Sequence, residues 1–278
     1  MTLDQIIENA LKEDIGDGDH TSLATIPLNT CGKAQLLIKE NGILAGIDVA
    51  KKVFQQVDKE LTMKIYLPDG SKIEKGNIAF EVEGKSVSIL SAERLVLNFM
   101  QRMSGISTFT HKIVQQLEGL KTKVLDTRKT TPNLRLLEKY AVKIGGGENH
   151  RFGLYDMILI KDNHIDFAGG IENAINATRE YLVNKGKDLK IEIEVRNFEE
   201  IRKVLSLGGV HRIMLDNFNT SDLAKAVTMI AGKYETEASG GITIDNIRQY
   251  AETGVDYISV GALTHHISSL DMSLKAVK

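Results

Sequence analysis

At 278 residues, with 42% hydrophobic and 26% charged residues, the chain is long enough for one large or two modest domains with ample core. A formal net charge of -2, a pI near 6.4, no tryptophan and only 5% aromatic residues argue against a nucleic-acid-binding protein, which would show a basic stripe or a base-stacking surface. The single cysteine, Cys31, excludes internal disulfides and cysteine-cluster metal sites, and fits a reducing compartment.

The N-terminus, MTLDQIIENALKED, spaces Leu3, Ile6, Ile7, Ala10 and Leu11 along one helical face. It lacks the basic start and unbroken apolar core of a signal peptide, and no run approaches the roughly 18 apolar residues of a membrane helix. A cytoplasmic protein without membrane contact is expected. The acidic turn Asp14–Ser22 resembles a calcium loop only superficially, because the ligand spacing and closing glutamate are missing. It reads as a packed turn or subunit contact, and Cys31 as a small packed residue. KAQLLIKENGILAG predicts a hairpin about Asn41-Gly42. Val49, Ala50, Val53, Phe54 and Val57 then form an amphipathic helix. The turn pairs Asp69-Gly70, Lys75-Gly76 and Glu83-Gly84 separate short strands. A long helix is expected from an N-cap at Ser91 to a break at Gly105, with another over Thr108–Leu117. Arg94 and Arg102 lie on the first of these and, taken alone, read as solvated surface residues.

From about residue 120 the chain repeats strand, polar tip and helix. The strands are VLDTRK, MILIKDNH, IEIEVRN, RIMLDN, the run into EASGG, and YISVGALTH; Gly208, Gly232 and Gly254 stand where helices should stop. Such alternation with right-handed crossovers builds a parallel sheet covered by helices. Six or seven units predict an α/β barrel short of the full eight, with its ligand site at the C-terminal strand ends.

Those ends carry charge. Between Asp126 and His164 basic residues outnumber acidic ones, and Arg128, Lys129, His150, Arg151 and Lys161 fall at or near strand ends, as expected of a pocket for a small, multiply anionic ligand. Strand alternation sends Glu192 and Glu194 of IEIEV into the barrel, where a carboxylate needs a cation. An internal salt bridge with a barrel lysine is expected for Glu192. Glu194, nearer the mouth, pairs with Asp216 as a place for Mg²⁺ carried in by a phosphorylated ligand. Ser239, Gly240 and Gly241 at one tip and Gly261 at the next allow backbone N–H groups to close on a phosphate. Thr131 and Pro132 are expected to open a helix on which Arg135 extends the basic pocket and Lys139 faces solvent. Gly145–Gly147 reads as a hinge or close-packing turn. No Walker loop, dinucleotide fingerprint, serine elbow or zinc spacing is present in the sequence.

Taken as an ordered set, DTRKTTP with its following LR, GGGENHR, KDNH, IEIEV, LDN, SGG and DYISVGALTH resemble the quinolinate phosphoribosyltransferase family. AERLVLN and EDIGDGDHTS fit it too, so the resemblance covers nearly the whole chain. It implies an N-terminal α/β, sandwich-like domain (1–107, joined by the tail 268–278) and an incomplete, seven-stranded parallel α/β barrel (108–267). The implied reaction joins quinolinate to 5-phosphoribosyl 1-diphosphate with loss of CO₂ and diphosphate, giving nicotinate mononucleotide, with Mg²⁺ and no organic cofactor. By position, Arg128, Lys129, His150, Arg151 and Lys161 would surround the dicarboxylate and neighbouring phosphates, and Arg135 matches a further basic position. Arg94 would reach in from the partner subunit of a homodimer or larger assembly. Glu194 and Asp216 would face the ribose and its Mg²⁺-bound diphosphate; Glu194, Asp216 and Lys129 are the catalytic candidates. Ser239, Gly240, Gly241 and Gly261 would hold the 5-phosphate. Two other readings stay open at this point: a related barrel phosphoribosyltransferase for another anionic ring, and a non-catalytic phosphosugar-binding barrel.

Overall fold

The structure is a computed structural model and describes residues 1–277. In chain order it begins α1 (Leu3–Ile15), α2 (His20–Thr25), β1 (Cys31–Ile38), β2 (Gly42–Ile43), α3 (Ile47–Val57), β3 (Thr62–Ile65), β4 (Lys72–Ile73), β5 (Ile78–Lys85) and α4 (Ser86–Gln116). There follow β6 (Lys123–Leu125), α5 (Arg135–Ile144), β7 (Ile158–Ile160), α6 (Asp162–Ala168), α7 (Ile171–Lys185), β8 (Ile191–Val195), α8 (Phe198–Leu207) and β9 (Arg212–Asp216). The chain continues through α9 (Thr220–Ile230), β10 (Glu235–Ser239), α10 (Ile247–Ala251), β11 (Tyr257–Ser259), α11 (Ala262–His265) and β12 (Met272–Val277). These group into two compact units. The first holds Met1–His111, Thr130–Gly146 and the chain from Leu263 onward; the second holds Lys112–Lys129 and Gly147–Ala262.

The first unit is built on an antiparallel sheet in the order β12-β1-β5-β3. In α3, the residues Ile47, Val49, Ala50, Val53 and Phe54 are buried, and the Phe54 ring meets Phe80 of β5 edge-on at 5.9 Å. At the N-terminus, Thr2 and Gln5 close a capping box on α1. The expected hairpin at Asn41-Gly42 does not form. β2 pairs with β4 instead of β1, neither Asn41 nor Gly42 takes the left-handed backbone of a tight primed turn, and Asn41 Oδ1 accepts the Lys75 N–H at 2.9 Å. Nor does Gly105 break a helix: α4 runs unbroken from Ser86 to Gln116. A Cβ on Gly105 would lie 2.2 Å from the Ser268 carbonyl oxygen, so this glycine serves close approach of a second segment. Ser91 is inside α4 and donates to Asp19, which caps α2, so the acidic turn is tied to α4 at this point. Cys31, at the start of β1, is exposed. Thr131 caps no helix either, because left-handed Asn133 (φ 66°) delays α5 to Arg135. Lys139, expected in solvent, is only 2% exposed.

The second unit carries six parallel strands in the order β6-β11-β10-β9-β8-β7. Glu148 adds a single parallel bridge to Leu125 on the outer side of β6, which supplies the seventh position of an incomplete barrel. Asn197 caps α8 and Asn219 caps α9 through side-chain oxygens, while Gly208 stops α8 as expected. α9 instead ends on Ala231, itself left-handed, one residue before Gly232. All five residues of β8 are buried. No helix among the described residues is long and apolar enough to cross a membrane.

Candidate active site

Every strand of the second unit runs in one direction, so the polar tips gather at one end. At β6 the first residue past the strand, Asp126, is fully buried. Its Oδ1 accepts the His150 N–H at 2.9 Å and its Oδ2 accepts from Asn149 Nδ2 at 2.6 Å, which ties this tip to the loop carrying His150 and Arg151. Thr127 Oγ1 accepts the Lys129 N–H at 3.0 Å, leaving Arg128 and Lys129 exposed side by side. Arg151 donates from Nη1 to the Met157 carbonyl at 3.2 Å. Burial, and then the neighbouring charge of Arg128, lower its pKa below the ordinary arginine value. Lys161, past β7, brings Nζ within 3.7 Å of Glu194 Oε2. The tips thus hold two guanidiniums close enough to repel, with an ammonium beside a carboxylate.

Below them lies a set of charges that sequence reasoning only half anticipated. Glu192 and Glu237 are both fully buried. His150 Nε2 stands 2.9 Å from Glu192 Oε2 and 3.4 Å from Glu237 Oε2. Arg212 Nη1 donates to Glu237 at 2.9 Å, while its Nε and Nη2 hold Glu235 and its guanidinium lies 4.0 Å from the Tyr257 ring centroid. The groups that face Glu192 are therefore the His150 ring and the charge of Arg212, where a lysine was expected. Burial lowers the His150 pKa, but hydrogen bonds and charge from Glu192 and Glu237 outweigh it and carry it up to about 9. Burial and the charge of Glu237 push Glu192 up to about 7. Burial also acts to raise Glu237, yet His150, Arg212 and Ser259 together hold it below the ordinary glutamate value.

Geometry decides where the extra proton sits. The Arg151 N–H points at His150 Nδ1 from 2.7 Å, so that nitrogen offers a lone pair and the ring is neutral, with its proton on Nε2. Neither oxygen of Glu192 finds a well-aligned donor among the described residues, and a proton on Glu192 relieves this. A neutral ring beside a protonated Glu192 carries the same number of protons as an imidazolium beside two carboxylates. His150, Glu192 and Glu237 also bring potential metal-ligand atoms within 4.8 Å of one another. Arg212 already occupies Glu237, and a cation placed there would face a guanidinium, so the trio reads as an ion-pair network.

Across the mouth, burial raises the Glu194 pKa against the pull of Lys161, with Asp216 and Asp162 adding to the rise. Asp216 Oδ1 accepts from Ser239 Oγ and Oδ2 from Asn217 Nδ2, each at 2.6 Å. Gly240 is left-handed (φ 92°), and a Cβ there would fall 2.1 Å from Asn217 Oδ1. Gly241 (φ 62°) faces open space. The carboxylate and the glycine loop are thus locked together through Asn217. Gly261 directly precedes the four-residue α11.

Arg128, Lys129, His150, Arg151, Lys161, Glu194, Asp216, Ser239, Gly240, Gly241 and Gly261 therefore all lie in the barrel unit, at or past strand ends. Arg94 and Arg135 lie in the other unit. Arg94 is exposed on α4, and Arg135 opens α5 with Nε donating to Thr130 Oγ1 at 2.9 Å. Sequence reasoning passed over Asp126, Arg212 and Glu237. The signal for Glu237 was available: ETEAS repeats the inward carboxylate alternation of IEIEV.

Residues 106–275 match the family described as quinolinate phosphoribosyl transferase, C-terminal domain, and residues 19–104 match its N-terminal domain. The chain belongs to the quinolinate phosphoribosyltransferase family. It is 46% identical over 285 residues to quinolinate phosphoribosyltransferase [decarboxylating] 1b of Nicotiana tabacum, covering 97% of this chain and 81% of that one. It is 41% identical to the probable nicotinate-nucleotide pyrophosphorylase [carboxylating] of Bacillus subtilis, covering 99% and 93%. Among solved structures, the nicotinate-nucleotide pyrophosphorylase from Francisella tularensis superposes with a TM-score of 0.93 at 41% identity, covering 99% of this chain and 96% of that one. Membership in this family spans both units.

Proposed function

We propose that the barrel tips form a two-substrate site. Arg128 and Arg151, with Lys129 and Lys161, take the dicarboxylate of quinolinate; Glu194 and Asp216 face the ribosyl donor, and Ser239, Gly240, Gly241 and Gly261 surround its 5-phosphate. The reaction is that of the family. The chain is an enzyme that transfers phosphoribosyl from 5-phosphoribosyl 1-diphosphate to quinolinate with decarboxylation, giving nicotinate mononucleotide, CO₂ and diphosphate in NAD biosynthesis. The observation that carries the residue assignment is the gathering of Arg128, Lys129, Arg151 and Lys161 at one end of the parallel sheet. A planar dicarboxylate gives the two guanidiniums bidentate partners and offsets that positive charge.

As the bond to diphosphate breaks, positive charge grows on the ribose, and the pyridine nitrogen closes on the anomeric carbon. Glu194 supplies a carboxylate there, in a site that already disfavours its isolated charge. Glu194 and Asp216, two carboxylates whose repulsion a cation would relieve, suit a Mg²⁺ ion held directly or through the diphosphate. That ion would offset charge on the leaving group. Once the ring nitrogen is alkylated, the pyridinium accepts the electron pair left at C2 as CO₂ departs, so the step needs no organic cofactor.

Arg94, exposed on α4, is assigned to the acid pocket of a second copy, which makes the working unit at least a homodimer. Arg135 extends the same basic set. The deciding assay is CO₂ release from quinolinate by the purified protein with Mg²⁺ and the ribosyl donor, with nicotinate a poor acceptor. Arg151→Lys should raise KM for quinolinate about tenfold or more while KM for the donor stays within about twofold. An unchanged KM for quinolinate would remove Arg151 from the pocket.

A further inference from the structure

Two buried carboxylates beneath a pocket for a dicarboxylate pose a problem: their charge opposes the substrate, and burying them costs free energy. Neither belongs to the proposed binding set. What they do touch is His150. Its ring is 6% exposed; Nδ1 accepts the Arg151 N–H at 2.7 Å, and Nε2 faces Glu192 at 2.9 Å and Glu237 at 3.4 Å without a well-aligned hydrogen bond to either. The backbone N–H of His150 is fixed as well, on Asp126 at 2.9 Å. The peptide leading into Arg151 is thus held at the tip of β6, with the His150 ring set against carboxylates of β8 and β10. Glu237 is the fixed point of this grip, because Arg212 holds it at 2.9 Å and is itself held by Glu235.

We infer that Glu237, set by Arg212, is a positioning residue for quinolinate: through the His150 ring it fixes the backbone of Arg151, and so aims the guanidinium that receives one carboxylate. The inference rests on placing the acid against Arg128 and Arg151. It reassigns His150, whose ring orients Arg151 and has its nitrogens turned to the protein. The donor's side of the site, built on Asp216, Ser239 and Gly240, shares no hydrogen bond with this grip among those described. A defect in it should therefore fall on one substrate.

Glu237→Leu keeps much of the volume and removes Oε2, the one oxygen that both Arg212 Nη1 and His150 Nε2 face, so the ring loses its fixed neighbour. The expected result is a rise of about tenfold in KM for quinolinate, with KM for the ribosyl donor and kcat within about twofold. Glu237→Asp, which keeps an acceptor, should recover part of the loss. Equal losses for both substrates with a lowered Tm would mean a purely structural role and overturn the inference. If Arg151→Lys leaves KM for quinolinate unchanged, the pocket assignment has failed; if it raises that KM and Glu237→Leu does not, only this inference has failed. A measurement on the unmodified enzyme stands apart from any folding defect: ring-¹⁵N histidine NMR, with His150 assigned by its loss in His150→Gln. The expected pattern is proton on Nε2 and lone pair on Nδ1, with and without quinolinate. A proton on Nδ1, or a tautomer change on adding quinolinate, overturns it.

Discussion

Arg102 closes on a single oxygen of Glu138, with Nε at 2.9 Å and Nη2 at 2.5 Å from Oε1, while Oε2 accepts the Thr131 N–H at 3.1 Å. Nη2 also reaches Thr131 Oγ1 at 2.8 Å and the Thr264 carbonyl at 3.2 Å. One guanidinium thus joins α4, the entry to α5 and α11 within the first unit. Glu138 is 1% exposed, so Arg102→Met would strand a buried carboxylate. The expected loss is roughly 3 kcal/mol, read as a lower urea midpoint at unchanged m. Adding Glu138→Leu should recover much of it, since replacing both partners leaves no unpaired charge. A loss below about 1 kcal/mol would class the pair with weak surface bridges.

Gly240→Ala should damage the donor's side alone. The new Cβ would meet Asn217 Oδ1, and Asn217 holds Asp216. KM for the ribosyl donor should rise about tenfold or more, with calorimetric binding of quinolinate retained. Gly241→Ala meets open space and carries only the cost of a left-handed backbone, about 1 kcal/mol. Equal effects at the two positions would contradict the close approach at Gly240.

Stability should fall as pH rises through the range in which Glu192 holds its proton. Its ordinary value is 4.5 and its folded value about 7, so between these pH values the native chain keeps a proton that the unfolded chain has released. The unfolded state then binds fewer protons, and the slope of unfolding free energy with pH is negative. Urea unfolding of the wild type and Glu192→Gln from pH 4 to 8 checks this. The variant should lose the slope between about 4.5 and 7; an unchanged slope would place that proton elsewhere.

Mixing two inactive variants tests the shared site. Arg94→Ala and Lys129→Ala subunits should be inactive alone, and after exchange each mixed dimer has one intact site. Random equal mixing would restore about a quarter of wild-type activity. No recovery after exchange is verified by mass spectrometry would put Arg94 outside the partner's pocket.

The barrel was legible because its signals are local: alternation marks each strand, asparagine or glycine marks most helix ends, and the charged tips follow directly. The failures share a different cause. Gly105 looked like a breaker because nothing near it in sequence shows that Ser268 passes at backbone distance. Asn41-Gly42 has the composition of a tight turn, yet its partner is β4, thirty residues on, and not β1. Arg102 read as a surface arginine because its partner, Glu138, sits 36 positions away. Glu192 was expected to need a cation, but which one depended on β9 and the His150 loop. Contacts across the sheet decide these cases, and local propensity is silent on them.

The pairing of β12 with β1 sets the order in which the molecule can be completed. β1 leaves the ribosome long before β12, and until then one edge of it, from Lys33 to Ile38, has no strand beside it. The barrel lies between the two in sequence and can form first, after which the late strand closes a very long loop at only a logarithmic entropic cost. During that interval the bare edge can also accept β12 from another copy. Strand exchange between nascent chains is therefore this architecture's characteristic misassembly, and it should grow with expression level.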